Sequence, residues 1–561
     1  MNLRSTPTHA LMNTAYEAPD LARALPRDHT GPRRLLRPLT LILALQAGLS
    51  LSLVWSNTAF GDEGEYLWAG HLEIAHWLHG VQIPAVLPKI FSGSPVIYPP
   101  IGAMADSVGG LAGARLLSLV FMLITTILLY SSVKQLLGEP AAILSAALWA
   151  ISEPAIRLGA YATYDAMSVF MTALSAWLAL RAVRGSRHGF YIAASAAALA
   201  LANATAYSGV SIDPIVVSFA FFAWIAALGF RRAVILAAWF VLAMAAFFAG
   251  LLIISGSWTG IMYTVFLRGQ AGGYTSGSST VGFIVKNVWV YEGLYLILCL
   301  ISVVAMILAE SGIHRLLLGT SAAAVLVVPV AQLHDLTEVS LDKHLAYGIW
   351  FGAIACGYVC ERLIRSVPGM RVMTVVVCSG LALAYPALGA WQAALAMQQS
   401  WANATDFVAA FRPAVSNVSG PIYASTEDWL ARYYTPQGFD WTRWNVSNLP
   451  LSLPSVPAKA QVAEYSHLLS RFSYGVICLF YETTIHGVPA NMVLSPGSDT
   501  ARVRFLNFVT ASNSTDSDSA IGKAALTIAL EEDPSYRLAS VGPYSSDIQN
   551  GIYAIWEKVA P

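Results

Sequence analysis

The chain has 561 residues, of which 56% are hydrophobic and only 11% charged, roughly half the charge of a soluble globular protein. Lys+Arg and Asp+Glu balance at 32 each, so no net positive field argues for a nucleic-acid partner. Such a composition suits lipid rather than water as the main solvent.

From the N-terminus, about 35 polar residues end in the basic cluster Arg27, Arg33, Arg34 and Arg37. No small-residue cleavage site follows closely, so the first apolar run reads as a retained helix and not as a signal peptide. A membrane helix needs about 20 apolar residues, because its backbone must satisfy itself where water is absent. About eleven such runs occur, near 36–56, 109–133, 139–157, 163–182, 189–208, 211–230, 233–255, 288–309, 315–333, 345–361 and 372–392. An odd count places the termini on opposite sides.

Lys and Arg collect in short cytoplasmic loops. Arg33, Arg34 and Arg37 precede the first run, Lys134 follows the second, and Arg181, Arg184 and Arg187 follow the fourth. Arg231 and Arg232 follow the sixth, Arg315 the eighth, and Arg362, Arg365 and Arg371 the tenth. All fall on one side of an eleven-helix arrangement. The expected layout is therefore a cytoplasmic tail over 1–35, a transmembrane domain over 36–392 with a large first external loop at 57–108, and an extracytoplasmic domain over 393–561.

After Trp391 the composition shifts toward Asn, Ser, Asp and Pro. Short β-type runs at 421–425, 474–481 and 552–556, with helix-like stretches at 499–512 and 518–532, predict a small α/β unit. Cys299, Cys356, Cys360 and Cys378 sit in apolar runs, and Cys478 alone falls in the aqueous portion, so no disulfide framework is available there. The sequons at Asn403 and Asn445 would matter only in a eukaryotic secretory pathway.

Within the first external loop, Gly61-Asp62-Glu63-Gly64-Glu65-Tyr66 places three carboxylates near the end of the first helix. Acids at that depth need solvent or a partner. An acidic collar at a membrane surface would use the same residues. Residues 66–79 continue at helical spacing with Trp68 and Trp77, as a helix lying flat on the membrane would. His76, His79 and Glu73 could be metal ligands or simply the polar rim of that helix. Lys89 follows, then Ser94-Pro-Val-Ile-Tyr98-Pro-Pro-Ile-Gly102, a rigid segment leading to the second helix. Tyr164-Asp165-Ala166-Met167 opens the fourth, where an Asp in the first turn also suits the helix dipole. A flexible stretch, Arg268 to Ser279, is either a connector or a loop that could close over a lipid. Leu341-Asp342-Lys343-His344 starts the tenth run.

An Asp-Glu pair just beyond the first span, a flat helix and an aromatic-Pro-Pro-Ile-Gly stretch together resemble the GT-C glycosyltransferases. The likeness is greatest to the protein O-mannosyltransferase and lipid A aminoarabinose transferase group. Tyr164-Asp165-Ala166-Met167 is similar to that group's Pro-Asp-Ala-Leu element, and Lys343 stands where many of its members carry a basic residue near the carrier phosphate. One departure is clear: the lysine that often precedes Pro-Pro is Tyr98 here. Lys89, Arg157, Arg268, Lys286, Lys343 and His344 are left to take its part, with Lys343 and His344 favoured and Arg268 next.

The resemblance implies a GT-C-like fold and inverting sugar transfer from a polyprenyl-phosphate donor on the extracytoplasmic face, in a plasma membrane of bacterial type. Lipid phosphate leaves as a weak base without needing a proton, so one carboxylate suffices to accept the acceptor's proton, and Asp62 is assigned to it. Cations near the phosphate stabilise the departing charge: Lys343, His344, Arg268 and Lys89. Glu63 and Asp165 join Asp62 as catalytic candidates, and Tyr98, Tyr66 and Glu65 are expected to position substrate. No cofactor is expected; a divalent cation is conceivable but disfavoured. The acceptor is a glycan, lipid or protein. The alternative is a transporter or flippase for lipid-linked sugars, which would place ionisable groups near the bilayer midplane, whereas these cluster at helix ends.

Overall fold

The computed structural model describes residues 32–183, 187–264, 277–337, 340–366, 372–425, 428–435, 440–444, 448–453, 455–482, 484–485, 488–489, 518–546 and 551–559. A helix α1 (Pro32–Val54) leads into α2 (Gly61–His79) and the four-residue α3 (Leu87–Ile90). The bundle continues with α4 (Tyr98–Leu137), α5 (Glu139–Ala150), α6 (Glu153–Leu158), α7 (Tyr164–Arg181), α8 (His188–Thr205), α9 (Asp213–Leu228) and α10 (Phe230–Ile254). It closes with α11 (Trp258–Met262), α12 (Gly277–Ala309), α13 (Gly312–Ala323), α14 (Val327–Asp335), α15 (Leu341–Arg365) and α16 (Val372–Gln398).

Each of the expected apolar runs coincides with one helix or a broken pair. Among the described residues five helical stretches are long and apolar enough to cross a membrane: Tyr98–Leu137, Tyr207–Leu228, Phe230–Ile254, Thr280–Ala309 and Gly312–Asp335. In α10 only 11% of the most apolar window is buried inside the protein, and Trp239, Leu242, Ile253 and Ile254 stand exposed. An apolar face of that extent needs lipid to cover it. The chain is therefore a multi-pass membrane protein.

The departures from expectation have local causes. The Pro-Pro segment is not a separate connector: Pro99 and Pro100 occupy the first turn of α4, where a missing N–H is harmless. The expected run from residue 109 starts where α4 kinks, at Gly110 with φ 62°, a conformation that glycine tolerates. The run at 139–157 breaks between α5 and α6, because Pro154 could not donate to a preceding turn and Ser152 caps the new helix through Ala155 N–H. Helix α12 starts at Gly277, so the last three residues of the stretch Arg268 to Ser279 are helical.

Helix α2 also differs. It begins at Gly61, so Asp62 and Glu63 lie in its first turn and not in a loop. Its residues Tyr66, Leu67, Trp68, Ala69 and Leu72 are buried, wedged between α4 and the C-terminal region rather than lying free. Gly70 makes this close approach feasible: a methyl group there would fall 1.9 Å from the Pro99 carbonyl oxygen.

The C-terminal region is α/β. Helix α17 (Thr405–Ser416), β1 (Ile422–Ala424), α18 (Asp428–Tyr434), α19 (Ala458–Phe472), β2 (Val476–Glu482), a short hairpin β3 (Thr484–Ile485) and β4 (Val488–Pro489), α20 (Asp518–Glu532), β5 (Tyr536–Pro543) and β6 (Gly551–Lys558) follow in order. The main sheet runs β1-β2-β6-β5, with β1 and β2 parallel and the others antiparallel. Alternation along β2 sends Ile477 and Leu479 to one core with Tyr465 and Leu469 of α19 and Leu526 of α20. Val476, Cys478 and Phe480 meet Phe407 and Phe411 of α17 on the opposite face. The strands at 421–425, 474–481 and 552–556 and the helix at 518–532 are present as expected; β5, α17 and α19 lack a clear sequence signal, and 499–512 lies outside the described residues. Helix α18 fastens this region to α2, with Arg432 set 5.2, 4.6 and 5.4 Å from the rings of Trp68, Trp429 and Trp444.

Replacing Gly70 with Val should push α2 off α4 and destabilise the protein by about 1–3 kcal/mol. A thermal melt of purified protein in detergent measures it; an unchanged midpoint would mean that the contact with Pro99 does not fix α2.

Candidate functional site

The site lies where the first turns of α2, α7 and α15 converge. In α15 the first turn, ahead of the apolar stretch that begins at Leu345, carries Asp342, Lys343 and His344. The Lys343 ammonium sits 3.1 Å from Asp62 Oδ2 and 3.3 Å from Asp165 Oδ2, and His344 Nε2 is 3.9 Å from Asp165 Oδ1. One lysine thus bridges two carboxylates from helices far apart in sequence. Burial opposes its charge, but Asp165 and Asp62 outweigh that and hold its pKa well above the ordinary lysine value. His344 is pushed the other way, below the ordinary imidazole value, chiefly by burial with Asp165 opposing.

The two carboxylates differ in access. The Asp62 side chain is 36% exposed and Asp165 is fully buried. Asp62, Lys343, Asp342 and Arg157 line a cavity of about 430 Å³, together with Phe60, Tyr161, Thr163, Asn287 and Tyr291, a size suited to a small molecule. Asp342 hydrogen-bonds Arg157, which also lies 3.5 Å from Glu153. Burial raises the Asp342 pKa, but the Arg157 guanidinium more than reverses that and takes it below the usual carboxylate range.

Glu63 faces elsewhere. Its two oxygens receive Arg115 Nε and Nη2 at 2.8 and 2.7 Å, both side chains having no exposure. Arg115 also donates to the carbonyls of Val54, Asn57 and Thr58, and Glu63 accepts from the backbone N–H of Phe60 and Ala162. Every strong hydrogen-bonding group of the pair is thereby used, which ties the end of α1, the start of α2 and the α6–α7 turn to α4. A lone arginine in an apolar helix demands such a partner, and that demand is the signal by which the Glu63–Arg115 pair could have been anticipated.

Tyr66 stacks among aromatics, 4.7 Å from Tyr164, 5.2 Å from Phe91 and 6.5 Å from Tyr98 between ring centres. Tyr98 is buried, and Glu65 is half-buried on α2. Lys89 and Lys286 are exposed and absent from the cavity lining. Arg268 lies outside the described residues. His76 donates to the Val81 carbonyl at 2.7 Å. Among the described residues no group of three or more His, Cys, Asp or Glu side chains is arranged to hold a metal ion. Tyr161, Thr163, Glu153 and Tyr291 reach the site or its border without any local motif to announce them.

Residues 107–258 match the family described as dolichyl-phosphate-mannose-protein mannosyltransferase, under half of the chain. Comparison with the curated proteins yields no match. Among solved structures, ArnT from Cupriavidus metallidurans bound to undecaprenyl phosphate superposes with a TM-score of 0.55 at 13% identity, over 92% of this chain and 97% of that one. The oligosaccharyltransferase of Archaeoglobus fulgidus gives 0.52 at 12% identity, over 80% of this chain and 70% of that one. The motif resemblance is thus borne out: the chain has the fold of membrane GT-C glycosyltransferases.

Arg115→Met should strand the buried Glu63 carboxylate and destabilise the protein by about 3–5 kcal/mol. Adding Glu63→Gln should recover part of the loss. Comparing melting midpoints of the two variants checks this, and an unperturbed Arg115→Met protein would refute the anchoring part given to the pair.

Proposed function

We propose that the chain transfers a sugar from a polyprenyl-phosphate carrier to an acceptor hydroxyl, with inversion at the anomeric carbon. The observation that carries this reading is the single ammonium of Lys343 held between Asp62 and Asp165 on the wall of a cavity. A cation for phosphate and a reachable carboxylate for a proton are adjacent there. The fold likeness to proteins described with undecaprenyl phosphate and with dolichol-phosphate gives support from outside the chain.

In the proposed reaction the acceptor oxygen attacks the anomeric carbon as its proton passes to an Asp62 oxygen. The bond from that carbon to the phosphate oxygen breaks, and its electron pair leaves on the lipid phosphate. Lys343 faces that developing charge; in a cavity shielded from water its effect exceeds what it would be in solution. Arg157 is a second cation on the same wall, already oriented by Asp342 and Glu153. Asp165, buried behind Lys343, keeps the ammonium in place after Asp62 exchanges it for the substrate. Glu63 acts through the backbone and not on the substrate.

In this reading the site end of the bundle and the C-terminal region face the extracytoplasmic side of a bacterial-type plasma membrane, with the N-terminus cytoplasmic. The positive-inside pattern of Lys and Arg supports that orientation. A translocation reading would start from Glu292, an acid fully buried within α12, because buried charge inside a membrane span marks many transport paths.

Purified protein with an undecaprenyl-phosphate sugar provides the test. Asp62→Asn should lower transfer by about 10²–10⁴-fold while binding of undecaprenyl phosphate persists; Lys343→Ala should lose that binding. Full turnover by Asp62→Asn would eliminate the mechanism. Movement of labelled lipid-linked sugar across liposomes with no new glycosidic bond would favour translocation.

A further inference from the structure

Two residues that line the cavity carry buried hydroxyls without partners among the described residues. Tyr161 is 5% exposed and Thr163 only 1%; both line the cavity that holds Asp62 and Lys343. Neither hydroxyl has a hydrogen-bond partner among the described residues. Buried polar groups are nearly always paired, so each such exception needs an explanation. Thr163 sharpens the point. It is the N-cap of α7, where a threonine hydroxyl ordinarily accepts a bond from the first turn, yet it makes no such bond.

The short turn that carries them is held rigidly. The N–H of Ala162, between the two, donates to Glu63 Oε1 at 2.8 Å. The carbonyl of Ala160 accepts from Gln398 at 3.3 Å. The Tyr161 ring packs 6.3 Å from Phe60 and 5.6 Å from Trp401 between ring centres, and Arg157 lies 5.6 Å from its centroid. A hydroxyl fixed in this way is preorganised for a ligand, because its orientation does not have to be found on binding.

We propose that Tyr161 and Thr163 read hydroxyl groups of the transferred sugar and so set which sugar the site takes. The inference rests on the transfer reading above for its reaction but not for its geometry. Thr163 lies two residues before Asp165, which grips Lys343 at 3.3 Å. A sugar joined to the phosphate that Lys343 binds must begin beside that ammonium, in the cavity that Tyr161 and Thr163 line. The substrate class is a sugar with free ring hydroxyls, bound as its lipid monophosphate. Glu63 is then a positioning residue, placing both readers through the peptide between them.

The test compares affinities of the full chain in nanodiscs for bare undecaprenyl phosphate and for undecaprenyl phosphate carrying mannose, glucose, galactose or arabinose. At least one sugar-linked lipid should bind more tightly than the bare one. Tyr161→Phe keeps the ring and its neighbours but removes the hydroxyl, and should reduce that preference about tenfold. Thr163→Val should do the same, Thr163→Ser should restore it, and neither tyrosine nor threonine variant should alter the affinity for the bare lipid. For the preferred sugar, the deoxy analogue lacking the hydroxyl that is read should bind wild type and Tyr161→Phe equally.

Equal binding of the bare lipid and every sugar-linked lipid by wild type overturns the proposal. So does a uniform loss for bare and sugar-linked lipids in the variants, which would signify a structural part. A preference that survives in both variants while transfer to acceptor falls would assign the hydroxyls to the acceptor, and also overturns it. Binding is read without turnover. A protein that discriminates sugars through these hydroxyls but forms no glycosidic bond would therefore sink the transferase reading and leave this one standing.

Discussion

The fully buried pair of Glu63 and Arg115 is the constraint on which the site depends. An ion pair withdrawn from water gains little net stability unless its remaining donors and acceptors are also met. Here they are met by backbone groups: the carbonyls of Val54, which ends α1, and of Asn57 and Thr58 beyond it, and the N–H groups of Phe60 and Ala162. The pair therefore does more than neutralise itself. It sets the position of the first turn of α2, which carries Asp62, and of the turn that carries Tyr161 and Thr163. Two adjacent acids consequently have opposite characters. Asp62 keeps solvent access and shares Lys343 with Asp165, while Glu63 is consumed by the scaffold.

The balance around Lys343 follows from that placement. With Asp62 fixed on one side and Asp165 buried on the other, the ammonium has no need of an anion to stay charged. A phosphate entering the cavity would compete with Asp62 for it, and only Asp62 can yield, since Asp165 has no exposure to water.

Much of the architecture was legible because the bilayer imposes a simple rule on sequence. Apolar runs of about 20 residues had to become helices, and α1, α7 and α10 follow their runs closely. The breaks were less legible. Pro154 splits α5 from α6 and Gly110 kinks α4, both through backbone geometry that a hydropathy pattern averages away. The site's charged members were visible because charge is rare in such a chain: Asp62, Asp165 and Lys343 stand out at helix starts. Their meeting in space was not visible, since it depends on how α2, α7 and α15 pack. Tyr161 and Thr163 were invisible for a different reason. Tyrosine and threonine are common at membrane interfaces and helix caps, and what distinguishes these two is an unpartnered hydroxyl on a residue that lines the cavity.

Tyr98 shows how a role is tied to a position in space and not to one in sequence. Where the resembled group often has lysine, this chain has a buried phenol packed against Tyr66. A cation at residue 98 would start beside the aromatic cluster that Tyr66 forms with Phe91 and Tyr164, and would need an acid to remain charged there. Glu63 and Asp165 are the acids whose charge reaches residue 98, and they already hold Arg115 and Lys343. A second ammonium there would have to share a carboxylate that is already paired, and would repel Lys343. One lysine, entering from α15, answers the electrostatic need of the cavity, and an aromatic at residue 98 is the residue type that the remaining space accepts.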